Sequence, residues 1–171
     1  TDTNWVVIAD TVSKKGVEAL YRFKNAQKLK QFSLLCDSIS RASEVAIIED
    51  SIIRVFKRIV PGNFTFIFEA TKKITKAVQA NKTDHQVGIR FVPSHLVDRL
   101  IEIHGDVVIS SNIDVEEFNV EQSSEIFSYQ IEELYGHHLK MIIDPDEHDF
   151  AGQSTIIDFT SGEPEIVRQG V

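Results

Sequence analysis

Apolar residues recur along this chain in two alternating rhythms, one of strand period and one of helix period. Trp5 to Ala9 is a short, nearly continuous apolar run of strand length. Ser13 follows as a helix cap, and Val17, Leu20 and Tyr21 make the apolar stripe of a helix reaching about Phe23. Lys24 occupies the i+7 position of that stripe. Two readings fit it: a cation favoured by the C-terminal end of the helix dipole, or a lysine aimed into a cleft. Phe32 to Cys36 is a second short strand. Ile48, Ile52, Val55, Phe56 and Ile59 recur at helical spacing until Pro61-Gly62 stops them. Phe64, Phe66 and Phe68 then alternate with Thr65, Ile67 and Glu69, which predicts a strand with one aromatic, core-facing side. Gln86 to Val92 reads as a strand, His95 to Ile103 as a helix, and Asp106 to Ser110 as a strand ending in Ser110-Ser111-Asn112. Ser123 to Tyr135 reads as a helix closed by Gly136. Leu139 to Ile143, Ser154 to Phe159 and Glu165 to Arg168 complete the pattern as three short strands. Alternating strands and helices predict an α/β fold, and the strand-rich C-terminal end predicts a mixed sheet.

Length adds that residues 1–171 form one domain. A chain of this size buries about two thirds of its unfolded surface and needs no disulfide or metal staple. Its one cysteine, Cys36, excludes an internal disulfide and fits a reducing, cytoplasmic compartment. There is no apolar run of about twenty residues, so no membrane-spanning helix is expected. The net charge of −8 argues against salt-driven, non-specific binding to nucleic acid. Basic residues nevertheless cluster at Lys14, Lys15, Arg22, Lys24, Lys28 and Lys30, and again at Lys72, Lys73, Lys76 and Lys82, while the C-terminal third is acidic. Such clusters read first as solvated faces.

The motif search narrows the chemistry by exclusion. Neither G-x-x-x-x-G-K-[ST] nor G-x-G-x-x-G occurs, and eight scattered glycines build no backbone cradle for phosphate. A nucleotide would have to be held by side chains, for which Lys24, Arg90, Ser110, Asn112 and Arg168 are the candidates. Cys36 reads as a buried strand residue. His137-His138 and the run Asp144 to Asp149 match no metal-ligand spacing and read as a charged loop. Ser110-Ser111-Asn112 is either a turn or part of a site, since strand ends face the ligand crevice in open α/β sheets. Gly152-Gln153-Ser154-Thr155 is likewise a turn into a strand, or a set of hydroxyls lining a pocket.

Taken in order, several segments resemble the YrdC family of threonylcarbamoyl-AMP synthases, and its YciO branch most closely. They are Thr1-Asp2-Thr3 before a strand, Lys24 after the first helix, Pro61-Gly62-Asn63-Phe64-Thr65-Phe66-Ile67, and Val87-Gly88-Ile89-Arg90-Phe91-Val92-Pro93. Ser110-Ser111-Asn112, Ser154-Thr155-Ile156-Ile157-Asp158 and Ile166-Val167-Arg168-Gln169-Gly170 continue the match. The resemblance implies a twisted, largely mixed sheet with helices packed on it and a concave basic crevice. The family has a strand and a helix before its Thr-Asp-Thr motif, so this chain is expected to lack them. The implied reaction joins L-threonine, bicarbonate and ATP, with Mg²⁺, into threonylcarbamoyl-AMP and pyrophosphate, for threonylcarbamoyladenosine formation in tRNA. Family members also bind nucleotides and double-stranded RNA, and binding without synthesis is the alternative.

By the same resemblance Lys24, Ser110, Asn112 and Arg168 would contact the ATP phosphates, and Thr3, Arg90 and Ser154 the threonine. Arg90 suits a carboxylate, because its planar fork bonds both oxygens. No catalytic nucleophile is implied: the reaction needs positioning and charge stabilisation. The chain departs from the family pattern at Ala26, where an arginine is usual, at Gln27 for a proline and at Val6 for a glycine. One charged hydrogen bond to phosphate is worth roughly 1.5–3 kcal/mol. Lys28 and Lys30 are the nearest replacement cations for the missing arginine.

Overall fold

The computed structural model describes residues 1–23, 32–74, 85–146 and 149–171. Seven strands among them form a single sheet: β1 (Val6–Asp10), β2 (Ser33–Leu35), β3 (Phe64–Glu69), β4 (Gln86–Arg90), β5 (Val108–Asn112), β6 (Thr155–Asp158) and β7 (Glu165–Arg168). Their spatial order is β1-β5-β2-β4-β3-β6-β7. The β2–β4 and β3–β6 pairs are parallel and the others antiparallel, so the sheet is mixed, as the strand pattern predicts. Five α-helices accompany it: α1 (Lys14–Phe23), α2 (Ile39–Val45), α3 (Asp50–Ile59), α4 (His95–His104) and α5 (Ser128–Tyr135). No helix of the described residues is long and apolar enough to cross a membrane.

Strand period two sorts the sheet into unlike faces. Leu34, Ile89, Phe66 and Ile109 are neighbours in register and have no exposed surface. They enter one core cluster with Val17 and Leu20 of α1, Ala42 and Val45 of α2, and Phe56 of α3. Phe56 is its hub. Its ring centroid lies 4.4 Å from Phe66, 5.8 Å from Phe68 and from Phe91, and 6.2 Å from Phe159. The aromatic side of β3 is therefore core, as its alternation predicts. The residues between these, Ser33, Gly88, Ser110, Thr65 and Arg90, point to the other face. Leu35, Val108, Val92 and Ile101 of α4 form a small cluster that covers one end of that face, leaving the polar positions beside it.

Three segments differ from the sequence reading. Residues 123–135 do not make one helix: Ser123–Glu125 is a 3-10 turn, and α5 begins at Ser128. Leu139 to Ile143 is not a strand. Leu139 and Ile142 pack into a second apolar cluster while Met141 is exposed, so burial here follows a spacing of three rather than two. The helix α2 has no counterpart in the apolar pattern because it is only seven residues long. Its start is fixed by Ser38, whose hydroxyl accepts a hydrogen bond from the Arg41 N–H at 3.2 Å.

Two outcomes are expected from this packing. Phe56→Ala empties the ring cluster and should cost about 3–5 kcal/mol, read as a lower urea midpoint with an unchanged slope. Cys36 is 1% exposed, and burial, helped by Asp37, pushes its thiol pKa up. A thiol reagent such as DTNB should leave it unmodified in the folded protein and titrate it fully once denaturant is added.

Candidate functional site

The polar face of the sheet is organised around a buried arginine. Arg90 closes β4 and is 5% exposed. Its Nη1 donates to Thr3 Oγ1 at 3.0 Å and its Nη2 to Asp2 Oδ1 at 2.8 Å. The segment carrying those partners is fixed from beside it. Ile113 N donates to Trp5 O at 2.9 Å, Asn4 Nδ2 donates to Ile113 O at 3.1 Å, and Trp5 Nε1 donates to Ile126 O at 2.8 Å. Asp2 and Thr3 are thereby laid across the sheet from β1 toward β4.

Burial lowers the pKa of Arg90; the Asp2 carboxylate opposes that shift, and the charge of Arg168 adds to it. Two buried atoms of the pair, Arg90 Nε and Asp2 Oδ2, have no hydrogen-bond partner. An unmet donor and an unmet acceptor with no accessible surface leave this buried pair less than fully compensated for its desolvation.

A second arginine arrives from the sheet edge. Register pairs Thr65 with Ile156 and Ile156 with Arg168, so Arg168 shares the face of Thr65 and Arg90. Arg168 donates through Nε and Nη2 to Ser154 O at 3.1 and 2.9 Å, and through Nη2 to Ser154 Oγ at 3.2 Å. Ser154 Oγ also shares a 2.9 Å hydrogen bond with Thr65 Oγ1, and both residues are buried. Thr3, Arg90, Ser154 and Arg168 thus gather in one place.

Ser110 lies on the same face, two strands from Arg90 and therefore about 10 Å across the sheet. Its hydroxyl donates to Ser33 O at 3.0 Å. Ser33 is flanked in register by Ser110 and Gly88, and a Cβ at Gly88 would sit 3.3 Å from Ser33 Oγ. The floor between the two serines and Arg90 stays low because residue 88 has no side chain. Asn112, two residues beyond Ser110, is exposed at the end of β5.

Of the residues singled out in the sequence, the threonine-side set of Thr3, Arg90 and Ser154 converges. Arg168, assigned there to phosphate, sits against Ser154 in that same group. Ser110 and Asn112 share the face, Ser110 bonded to Ser33 O instead of to that group, and Lys24 lies outside the described residues. Sequence reasoning assigned no role to Asp2 or Thr65. Asp2 sits inside the Thr-Asp-Thr motif, and Thr65 is the off-phase residue between two core phenylalanines. Among the described residues no three His, Cys, Asp or Glu side chains come together as ligands for a metal ion.

Comparison with known proteins gives a consistent result. The family model of Sua5, YciO and YrdC proteins, described as telomere recombination, matches residues 1–170. The chain is 25% identical over 173 residues to the uncharacterized protein YciO of Escherichia coli (strain K12), covering 100% of this chain and 81% of that protein. The crystal structure of E. coli YciO superposes with a TM-score of 0.80 at 26% identity, over 100% of this chain and 81% of the other. P. abyssi Sua5 complexed with L-threonine matches 99% of this chain with a TM-score of 0.83 at 20% identity, a likeness of fold. This chain covers 48% of that Sua5 chain, about half its length. With the family model matched from the first residue to the second-last, and the fold shared with YciO and Sua5, this chain belongs to the Sua5/YciO/YrdC family.

Proposed function

We propose that this chain binds L-threonine beside Arg90 and acts as a threonylcarbamoyl-AMP synthase-like enzyme in tRNA threonylcarbamoyladenosine formation, in the cytoplasm. The observation that carries the reading is the gathering of Thr3, Arg90, Ser154 and Arg168 on one polar face of the sheet. A threonine carboxylate suits the guanidinium, and an amine or hydroxyl proton suits the carboxylate. Thr3 and Ser154 add hydroxyls, and Arg168 a second positive charge, so the neighbourhood favours an anionic ligand. That a P. abyssi family member is complexed with L-threonine supports the choice of amino acid.

In the reaction proposed, the threonine nitrogen joins the carbon of bicarbonate with loss of water. A carbamate oxygen then forms a bond to the α-phosphorus of ATP, and the bond from that phosphorus to pyrophosphate breaks. No side chain need become covalently attached; the site's task is to hold two reactants in line and to balance charge. Arg168, Ser110 and Asn112 are the described candidates for the triphosphate. Since no metal-ligand cluster occurs among the described residues, Mg²⁺ fits this reading as an ion carried on the phosphates, where it supplies part of the charge neutralisation.

A second reading keeps the crevice for a nucleotide or double-stranded RNA without synthesis. It is favoured by Ala26, which stands where the resemblance places an arginine, and by the Ser110 hydroxyl, which already donates to Ser33 O.

Titration calorimetry with L-threonine, paired with incorporation of labelled bicarbonate into an adenylate in the presence of ATP and Mg²⁺, tests the first reading. Arg90→Met should weaken threonine binding roughly 10- to 150-fold, the equivalent of one charge-assisted hydrogen bond. Because that variant leaves Asp2 buried without its cation, Ser154→Ala serves as the companion and should weaken threonine with less effect on folding. Threonine affinity unchanged in both variants would overturn the site. Absence of pyrophosphate and adenylate, with duplex RNA binding that weakens steeply as salt rises, would establish the second reading instead.

A further inference from the structure

The negative charge of this chain is concentrated in one segment. Residues 114–149 carry eleven Asp and Glu against a single Lys, a net of −10, whereas the other 135 residues carry fifteen against seventeen, a net of +2. The Arg90 site described above is built from the nearly neutral part of the sequence. The acidic part is a separate packing unit built on Trp5, with Ile113, Ile126, Ile131 and Tyr135 as its core.

Within that unit α5 buries Ile131 and Tyr135 and presents Ser128, Glu132 and Gly136 at i, i+4 and i+8, a single helical face. Residues 139–144 run beside this face and leave a groove of about 360 Å³. Leu139, Met141 and Ile142 supply its apolar surface, and Ser128, Glu132 and Asp144 its polar edge. Two hydrogen bonds hold that edge in place: Ser128 Oγ donates to the Asp144 carboxylate, and Asp146 N donates to Asp144 Oδ1 at 2.8 Å. Among the described residues of the lining, Lys140 is the one that is basic.

On either side of Ser128 in the sequence stands an aromatic residue that is open to water. Phe127 and Tyr129 stack at 6.0 Å and 11° while remaining 51% and 63% exposed, and Met141 is 71% exposed. Exposed apolar surface bordered by charge marks a contact surface. A methionine and stacked aromatics beside a groove are the usual means of gripping an apolar anchor.

We propose that this groove docks a cationic protein segment, one that inserts an apolar side chain over Leu139 and Met141 and sets Lys or Arg against Glu132 and Asp144. Charge complementarity selects that occupant. A surface in a segment of net −10 repels nucleic acid and anionic lipid and draws in polycations. A segment carrying both charge and an apolar anchor uses the carboxylates and the groove together. The proposal is independent of what the Arg90 site binds.

The test uses the full chain and a fluorescent 14-residue Lys/Leu peptide with its leucines on one helical face. Controls are a peptide of the same composition with its leucines scattered and one with Glu in place of Lys. Anisotropy should show binding of the first peptide and at least tenfold weaker binding of both controls. Tyr129→Ala and Met141→Ala should each weaken the first peptide about tenfold. Glu132→Lys should weaken it and Lys140→Glu should tighten it, while all four variants keep the wild-type circular dichroism and the wild-type response to L-threonine. Equal binding of the scattered peptide, with no effect of Tyr129→Ala or Met141→Ala, would reduce the surface to diffuse charge and overturn the proposal. Binding of labelled duplex RNA to the protein that Tyr129→Ala and Met141→Ala both weaken would also overturn it. So would a concentration-dependent self-association that Met141→Ala abolishes, since the groove would then belong to a second copy.

Discussion

The two-residue period of the sheet is the constraint from which the rest of this structure follows. Each strand of the central set, β5, β2, β4 and β3, puts one phase of its residues into a sealed apolar layer and the other phase on the opposite side. The sealed phase is Ile109, Leu34, Ile89 and Phe66, clamped by Phe56 from α3. Because that layer is satisfied by itself, the opposite phase is core only where Leu35 and Val108 meet α4. It can carry Ser110, Ser33, Arg90 and Thr65, and at Gly88 nothing at all. A slip of one residue in any of these strands would exchange the two sets and lose core and site together.

Arg90 shows what such a face asks of its neighbours. Removing a guanidinium from water is costly unless a carboxylate and further acceptors meet it. Asp2 and Thr3 do so from a segment 87 and 88 residues away in sequence. Arg90 therefore couples the segment before β1 to the middle of the sheet, and the site exists only when both are in place. Arg168 is brought to the same neighbourhood by β7 and fastened to Ser154, which Thr65 steadies in turn. The charge of Arg168 there adds to the lowering of the Arg90 pKa, which the Asp2 carboxylate opposes.

The acidic unit around Trp5 uses a different plan. Its cluster is small, its helix α5 is eight residues long, and the 139–144 segment packs at a spacing of three. Trp5 joins it to the sheet, since its backbone meets Ile113 at the end of β5 while its indole reaches Ile126. The one residue thus positions both the Asp2–Thr3 segment and the groove-bearing unit.

Elements with a strong, regular period were legible in the sequence. The alternation of Phe64, Phe66 and Phe68, the stripe of α1, the helix ended by Pro61-Gly62 and the strand leading to Arg90 follow from local sterics and the burial of one face. Those preferences act within a few residues. The resemblance of ordered short motifs likewise singled out polar residues, of which Thr3 bonds Arg90 and Ser154 bonds Arg168 on the same face. Three things were decided by tertiary structure alone. The run Leu139 to Ile143 looks like a strand but pairs with no strand of the sheet and packs instead beside α5. Asp2 acquires its importance from a partner 88 positions away, which no local pattern records. Arg168 stands with Ser154 because β6 and β7 pair in a register that includes a bulge. Sequence alone determined which residues are apolar and in what rhythm. Which polar residues share one buried space depended on strand order and register, since these are set by long-range pairing and not by the chain's neighbours.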